Sequence, residues 1–170
     1  RLSLVGSEMC IRDSHNRNKI ANNDEVEDIM RITRNTTTRL HNFAFKLAEK
    51  RKQKGKLGKV TCVDKANVFK SQALFRKIFN EIKDDFPNIE ADTCYVDAMA
   101  LNLIRQPWEY DVMVMENIFG DILSDLGGGL VGGMGMASCG EIGDNHGLFQ
   151  PAHGSCLLYT SDAADDSGCV

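Results

Sequence analysis

Along the chain, short apolar runs alternate with longer stretches in which apolar residues recur every three or four positions. Val26, Ile29, Met30 and Ile32 predict a strand over 25–33, and Asn35-Thr36-Thr37-Thr38 then favours a helix cap. The helix is expected to reach about Arg51, with Leu40, Phe43, Ala44, Leu47 and Ala48 on its inner face. Gly55 and Gly58 stop it, and the β-branched run 59–63 predicts a second strand. Leu74, Phe75, Ile78, Phe79, Ile82 and Phe86 form one helical stripe, interrupted by Pro87 and Asn88. A strand over 89–96, a short helix over 98–105 bounded by Pro107, and a strand over 110–115 follow. That last strand is apolar at every position after Asp111, the pattern of a strand covered on both faces. Strand and helix alternating at these intervals imply an α/β fold with helices layered on a parallel-rich sheet.

Composition adds limits. The 170 residues, 42% hydrophobic and 26% charged, describe an ordinary globular protein of a size that one domain accommodates. No apolar run approaches the roughly 20 residues that span a bilayer, so no membrane segment is predicted. The formal charge of −4 argues against a nucleic-acid partner, and the basic stretch 50–59 is read as a solvated helix end and turn.

The two ends have a shared feature in the genetic code. Met9 to Ser14 can be encoded by ATG TGT ATA AGA GAC AG, whose reverse complement, read one base in, encodes Cys-Leu-Leu-Tyr-Thr, the residues Cys156 to Thr160. The two termini can therefore be opposite strands of one DNA element, which resembles the transposon end used in sequencing adapters. Segments 1–14 and 156–170 are accordingly expected to be adapter-like translation, leaving 15–155 as the folded piece. Only Cys62, Cys94 and Cys139 then remain, with no Cys-x-x-Cys pair. They are expected to be buried small hydrophobes in a reducing, cytoplasmic setting.

Candidate chemistry stands at the strand ends. Lys65 and Asp97 each follow an apolar strand, the side of an α/β sheet on which ligands bind. Beyond the strand 110–115, Asp121 and Asp125 lie four apart in a segment that reads as a helix, so their carboxylates share a face. Hard oxygen donors suit Mg²⁺ or Mn²⁺, although by spacing alone a solvated acidic face explains the pair more simply. The glycines of 127–132 fit a dinucleotide pattern but come late in a helix rather than between strand and helix. They are read as close packing and a helix end.

Three strings carry a resemblance: Val63-Asp64-Lys65-Ala66-Asn67, the segment from Glu116 through Phe119-Gly120-Asp121 to Asp125, and Pro151-Ala152-His153-Gly154-Ser155. In order and spacing they resemble the isocitrate/isopropylmalate dehydrogenase family, over about 24–155. The resemblance implies an isopropylmalate-dehydrogenase-like layered α/β/α sheet, here truncated at both ends. It also implies an oxidoreductase that oxidises a malate-type 2-hydroxy acid with NAD and decarboxylates the β-keto acid on a divalent metal. Isopropylmalate is the favoured small hydroxy-dicarboxylate substrate. By the same resemblance, Lys65 is the catalytic lysine that removes the hydroxyl proton, with Asp97 beside it in catalysis. Asn67 contacts substrate or nicotinamide, and Asn117, His153, Gly154 and Ser155 bind the cofactor. Asp121 and Asp125 bind the metal from one subunit, while Asp97, the third metal ligand, and Lys65 come from the other across the shared site of a homodimer.

Departures accompany the matches. The family's substrate-binding arginines, catalytic tyrosine and most of its cofactor domain have no counterpart here, and Cys156-Leu157-Leu158 replaces the expected Ala-Pro-Asp after Ser155. The isolated chain is therefore expected to be inactive. Tartrate, malate or homoisocitrate as substrate, and a non-catalytic dimerisation module, stand as alternatives.

Overall fold

The computed structural model describes residues 3–6, 19–22, 25–27, 29–133, 136–143 and 146–151. The chain divides into two compact units, 1–122 and 123–170. In the first, the sequence-predicted alternation is realised as β4 (Lys59–Asp64), α2 (Lys70–Ile82), β5 (Glu90–Tyr95), α3 (Val96–Arg105) and β6 (Val112–Met115), preceded by α1 (Arg34–Gln53). β1 (Ser3–Gly6) completes a four-stranded sheet in the order β1-β6-β4-β5, parallel throughout. β1 falls in the segment expected to be adapter-like. Pairing along an open parallel edge requires only backbone groups, so it is indifferent to where four such residues come from. β2 (Lys19–Asn22) and β3 (Glu25–Glu27) form a separate antiparallel ribbon.

The core forms because alternate residues of the central strands point to opposite faces. Val60, Cys62, Val112 and Val114 pack in one cluster with Phe45 of α1 and Phe75, Ile78 and Phe79 of α2. Thr61, Val63, Met113 and Met115 must then face the other way, and they are also fully buried, as are Met99 and Leu103 of α3. Helices thus cover the central strands β4 and β6 on both sides, the layered α/β/α arrangement expected.

Local differences from the sequence reading have physical causes. The strand predicted over 25–33 is shorter, since residues 29–33 have no regular structure. Helix α1 begins at Arg34 after the cap position Thr33, so Asn35 to Thr38 lie inside its first turns rather than capping it. Phe43 is 39% exposed, whereas Phe45 is buried, stacked on Phe79 and Phe86 with ring centroids 5.3 and 4.9 Å apart. The glycine stop is as predicted, with Gly55 and Gly58 at φ 75° and 67°. Asp111 anchors that turn: buried, it accepts the Gly58 N–H at 2.9 Å and pairs with Arg51 at 2.6 Å. Cys62 is buried, but Cys94 and Cys139 are only partly so, because both lie on exposed strands.

The second unit begins within α4 (Asn117–Leu130), which carries Gly127 to Gly129, and continues as the hairpin β7 (Ser138–Ile142) and β8 (Gly147–Pro151). The glycines do lie late in a helix. A methyl group added at Gly129 would meet nothing within 4 Å, so close packing does not explain that one. No helix among the described residues is long and apolar enough to cross a membrane.

Candidate active site

Lys65 follows β4 immediately, and its position is fixed from both sides in sequence. Asp64, fully buried, accepts the Ala66 N–H at 2.8 Å, while the Lys65 carbonyl accepts the N–H groups of Val68 and Phe69 at 3.0 Å each. Arg76, from α2, holds both oxygens of Asp64 through Nε at 2.7 Å and Nη2 at 2.8 Å. Asp64 is in register with Tyr95 on β5, so the loops that follow the two strands start at the same level. Asp97, two residues past Tyr95, therefore comes within reach, and Lys65 Nζ lies 2.8 Å from its Oδ1.

The structure thus brings together Lys65 and Asp97 as an ion pair at the carboxyl ends of neighbouring parallel strands. The Lys65 hydrogen bond, with the backbone N–H groups of Asp97 and Ala98 at the start of α3, holds the Asp97 carboxyl below its ordinary pKa. Asn67 lies in the turn after Lys65, and Asn117 is the first residue of α4, where its Nδ2 donates to Asp121 Oδ2 at 3.2 Å. Asp121 and Asp125 are one helical turn apart on α4. Among the described residues, no three His, Cys, Asp or Glu side chains gather closely enough to hold a metal ion. The donor chemistry of Asp97, Asp121 and Asp125, all carboxylates, nevertheless fits a hard divalent cation. His153, Gly154 and Ser155 lie outside the described residues.

Four residues were not picked out from sequence. Asp64, Arg76 and Tyr95 surround Lys65, with the Arg76 guanidinium 4.7 Å and Lys65 Nζ 5.9 Å from the centre of the same Tyr95 ring. Glu116, at the end of β6, is buried, and burial raises its carboxyl pKa against the hydrogen bond it accepts from Ile118. A charged residue ending an otherwise apolar strand was the available signal for Asp64 and Glu116.

Comparison with known proteins identifies the family and the fold. Residues 5–163 match the family described as isocitrate/isopropylmalate dehydrogenase. The chain is 50% identical over 125 residues to a 3-isopropylmalate/3-methylmalate dehydrogenase of Methanocaldococcus jannaschii, covering 73% of this chain and 38% of that protein. To a homoisocitrate dehydrogenase of the same organism it is 49% identical, covering 73% of this chain and 35% of that protein. The crystal structure of isocitrate dehydrogenase from Methylococcus capsulatus superposes with a TM-score of 0.75 at 38% identity, over 84% of this chain and 43% of that one. A β-decarboxylating dehydrogenase from Thermococcus kodakarensis gives 0.70 at 34% identity, over 83% and 41%. The chain spans less than half the length of these relatives. With its layered sheet and its match over residues 5–163, the chain belongs to the isocitrate/isopropylmalate dehydrogenase family.

Proposed function

We propose that this chain is part of an NAD-dependent β-decarboxylating dehydrogenase acting on a malate-type 2-hydroxy acid, with 3-isopropylmalate the favoured substrate, in the cytoplasm. The observation that carries the reading is the Lys65–Asp97 pair at 2.8 Å, seated where parallel strands end. Isopropylmalate is favoured because several of the similar proteins bear that name. Homoisocitrate is the second candidate for the same reason.

Lys65, as the neutral amine, would take the proton released from the substrate hydroxyl, directly or through a water, and become the ammonium that pairs with Asp97, while hydride leaves the carbon bearing that hydroxyl for NAD⁺. Asp97 orients the Lys65 amine, and its low pKa keeps it a carboxylate throughout the neutral range. By the family resemblance, Asn67 would contact substrate or nicotinamide, and Asn117, His153, Gly154 and Ser155 would bind the cofactor. Mg²⁺ or Mn²⁺ held by Asp121 and Asp125, with Asp97 from a second subunit, would polarise the hydroxyl oxygen and accept charge as carbon dioxide departs.

The second subunit is proposed to be another copy of this protein. On α3, Asp97, Leu101 and Ile104 recur at helical spacing, and Leu101 and Ile104 are more than half exposed. Trp108 follows in the next turn at 70% exposure. An apolar stripe headed by a candidate metal ligand suits a face that closes against a copy of itself and delivers Asp97 there.

The test uses the protein at its relatives' full length, with NAD or NADP, the hydroxy acids isopropylmalate, homoisocitrate, isocitrate, malate and tartrate, and Mg²⁺ or Mn²⁺. NAD reduction should be greatest with isopropylmalate, vanish on chelation, and fall by ~10²–10⁴-fold in kcat for Lys65→Ala. Absence of metal-dependent turnover with every hydroxy acid, in a protein that still dimerises, would replace this reading with a non-catalytic dimerisation module.

A further inference from the structure

We propose that Asp64, Arg76 and Tyr95 form a clamp that positions the Lys65 amine, an inference that rests on the reaction proposed above. The clamp ties three elements together at one point. Asp64 ends β4, Arg76 belongs to α2, and Tyr95 ends β5 in register with Asp64. The Arg76 fork takes both Asp64 oxygens while its Cζ lies over the Tyr95 ring, 4.7 Å from the centroid. Lys65, the residue after Asp64, lays its Nζ over the same ring and against Asp97.

Each contact removes a freedom that Lys65 would otherwise have. The Asp64 to Ala66 hydrogen bond closes a turn around Lys65, so its Cα cannot shift without breaking it. The ring limits where a four-carbon side chain with an ammonium at its tip can lie, and Asp97 selects the direction. A flexible amine is thereby held at one location, the condition for proton transfer over hydrogen-bond distance. A fully buried carboxylate is costly to maintain, and replacing a buried ion pair by apolar residues of the same volume is often neutral or stabilising. What an apolar pair could not supply is the directional hold on the backbone of Lys65.

The experiment uses the full-length protein and two altered forms chosen to fold. Tyr95→Leu removes a ring that is partly exposed, and the double variant Asp64→Asn/Arg76→Gln removes both charges together, leaving neither unpaired. The readouts are the rate of reductive methylation of Lys65, followed by peptide mass spectrometry, then kcat and KM for the hydroxy acid, and the thermal midpoint. Both variants should methylate Lys65 several-fold faster and lose ~10–100-fold in kcat, while KM changes by less than about three-fold. Tyr95→Phe, which keeps the ring, should recover most of that loss. Unchanged methylation in both variants overturns the clamp, as does faster methylation with unaltered kcat, or a kcat that tracks the thermal midpoint alone. Should the unaltered protein turn over no hydroxy acid, the proposed function fails separately. The methylation rates then decide the clamp by themselves, faster labelling supporting it and equal labelling overturning it.

Discussion

His41 shows how much a single side chain can impose on the molecule. It is fully buried on α1, edge-on to Phe75 and Phe79, and its Nε2 donates to the Phe75 carbonyl at 3.2 Å. Its Nδ1 has no hydrogen-bond partner among the described residues. Burial lowers its pKa from 6.5 to about 4, against the opposing effect of the Phe75 hydrogen bond. Between those values the unfolded chain takes up a proton that the folded chain refuses, so stability is full above pH 6.5 and declines as pH falls towards 4. The loss should approach about 3 kcal/mol. Urea midpoints measured from pH 7.5 to 4 should drop accordingly, and His41→Leu should flatten that part of the profile. Nothing in the sequence marked His41 as buried, because a histidine on a helix is equally at home facing water. Lys65 and Asp97 were legible as candidates because position at a strand end is visible from pattern alone. The Arg76 contact was not, since an ion pair bridging 12 residues follows from how α2 docks on the sheet rather than from any local period.

At the scale of elements, the strands and helices of 34–130 were readable almost throughout, and the informative error was the orientation of α1. Phe43 and Phe45 flank Ala44 at equal angles, so periodicity alone favours neither. Phe45 is selected because α2 and the turn after it present Phe79 and Phe86 for stacking. Phe45→Ala should therefore cost about 3–5 kcal/mol, and Phe43→Ala under about 1 kcal/mol, by chemical denaturation. Asp111 looked like the polar start of a strand and is instead the pin between α1, the turn at Gly58 and β6. Asp111→Ala leaves Arg51, itself mostly buried, without this partner, and should destabilise by about 3 kcal/mol. A smaller loss, under about 1 kcal/mol, would mean that the pin is replaceable by water.

For the whole molecule, what matters is surface. Ile118 and Ile122, one turn apart on α4, add to the exposed apolar residues of α3 and the turn that follows it. If the proposed dimer closes through this face, replacing Leu101, Ile104 and Trp108 together with polar residues should leave the full-length protein monomeric by light scattering and abolish the proposed turnover. This level was the least legible in the sequence, because an exposed apolar residue and a buried one follow the same period until the packing is known.

The in-chain pairing of Lys65 with Asp97, with Asp121 and Asp125 on a separate helix, has a genetic counterpart. If each site takes Lys65 from one subunit and Asp121 from the other, a mixed dimer of Lys65→Ala and Asp121→Asn chains concentrates both lesions in one site and leaves its twin intact. Two dead proteins, unfolded together and refolded as a mixture, should then regain about a quarter of the normal activity. Two lesions that both fall on Lys65 and Asp97 should give no such complementation.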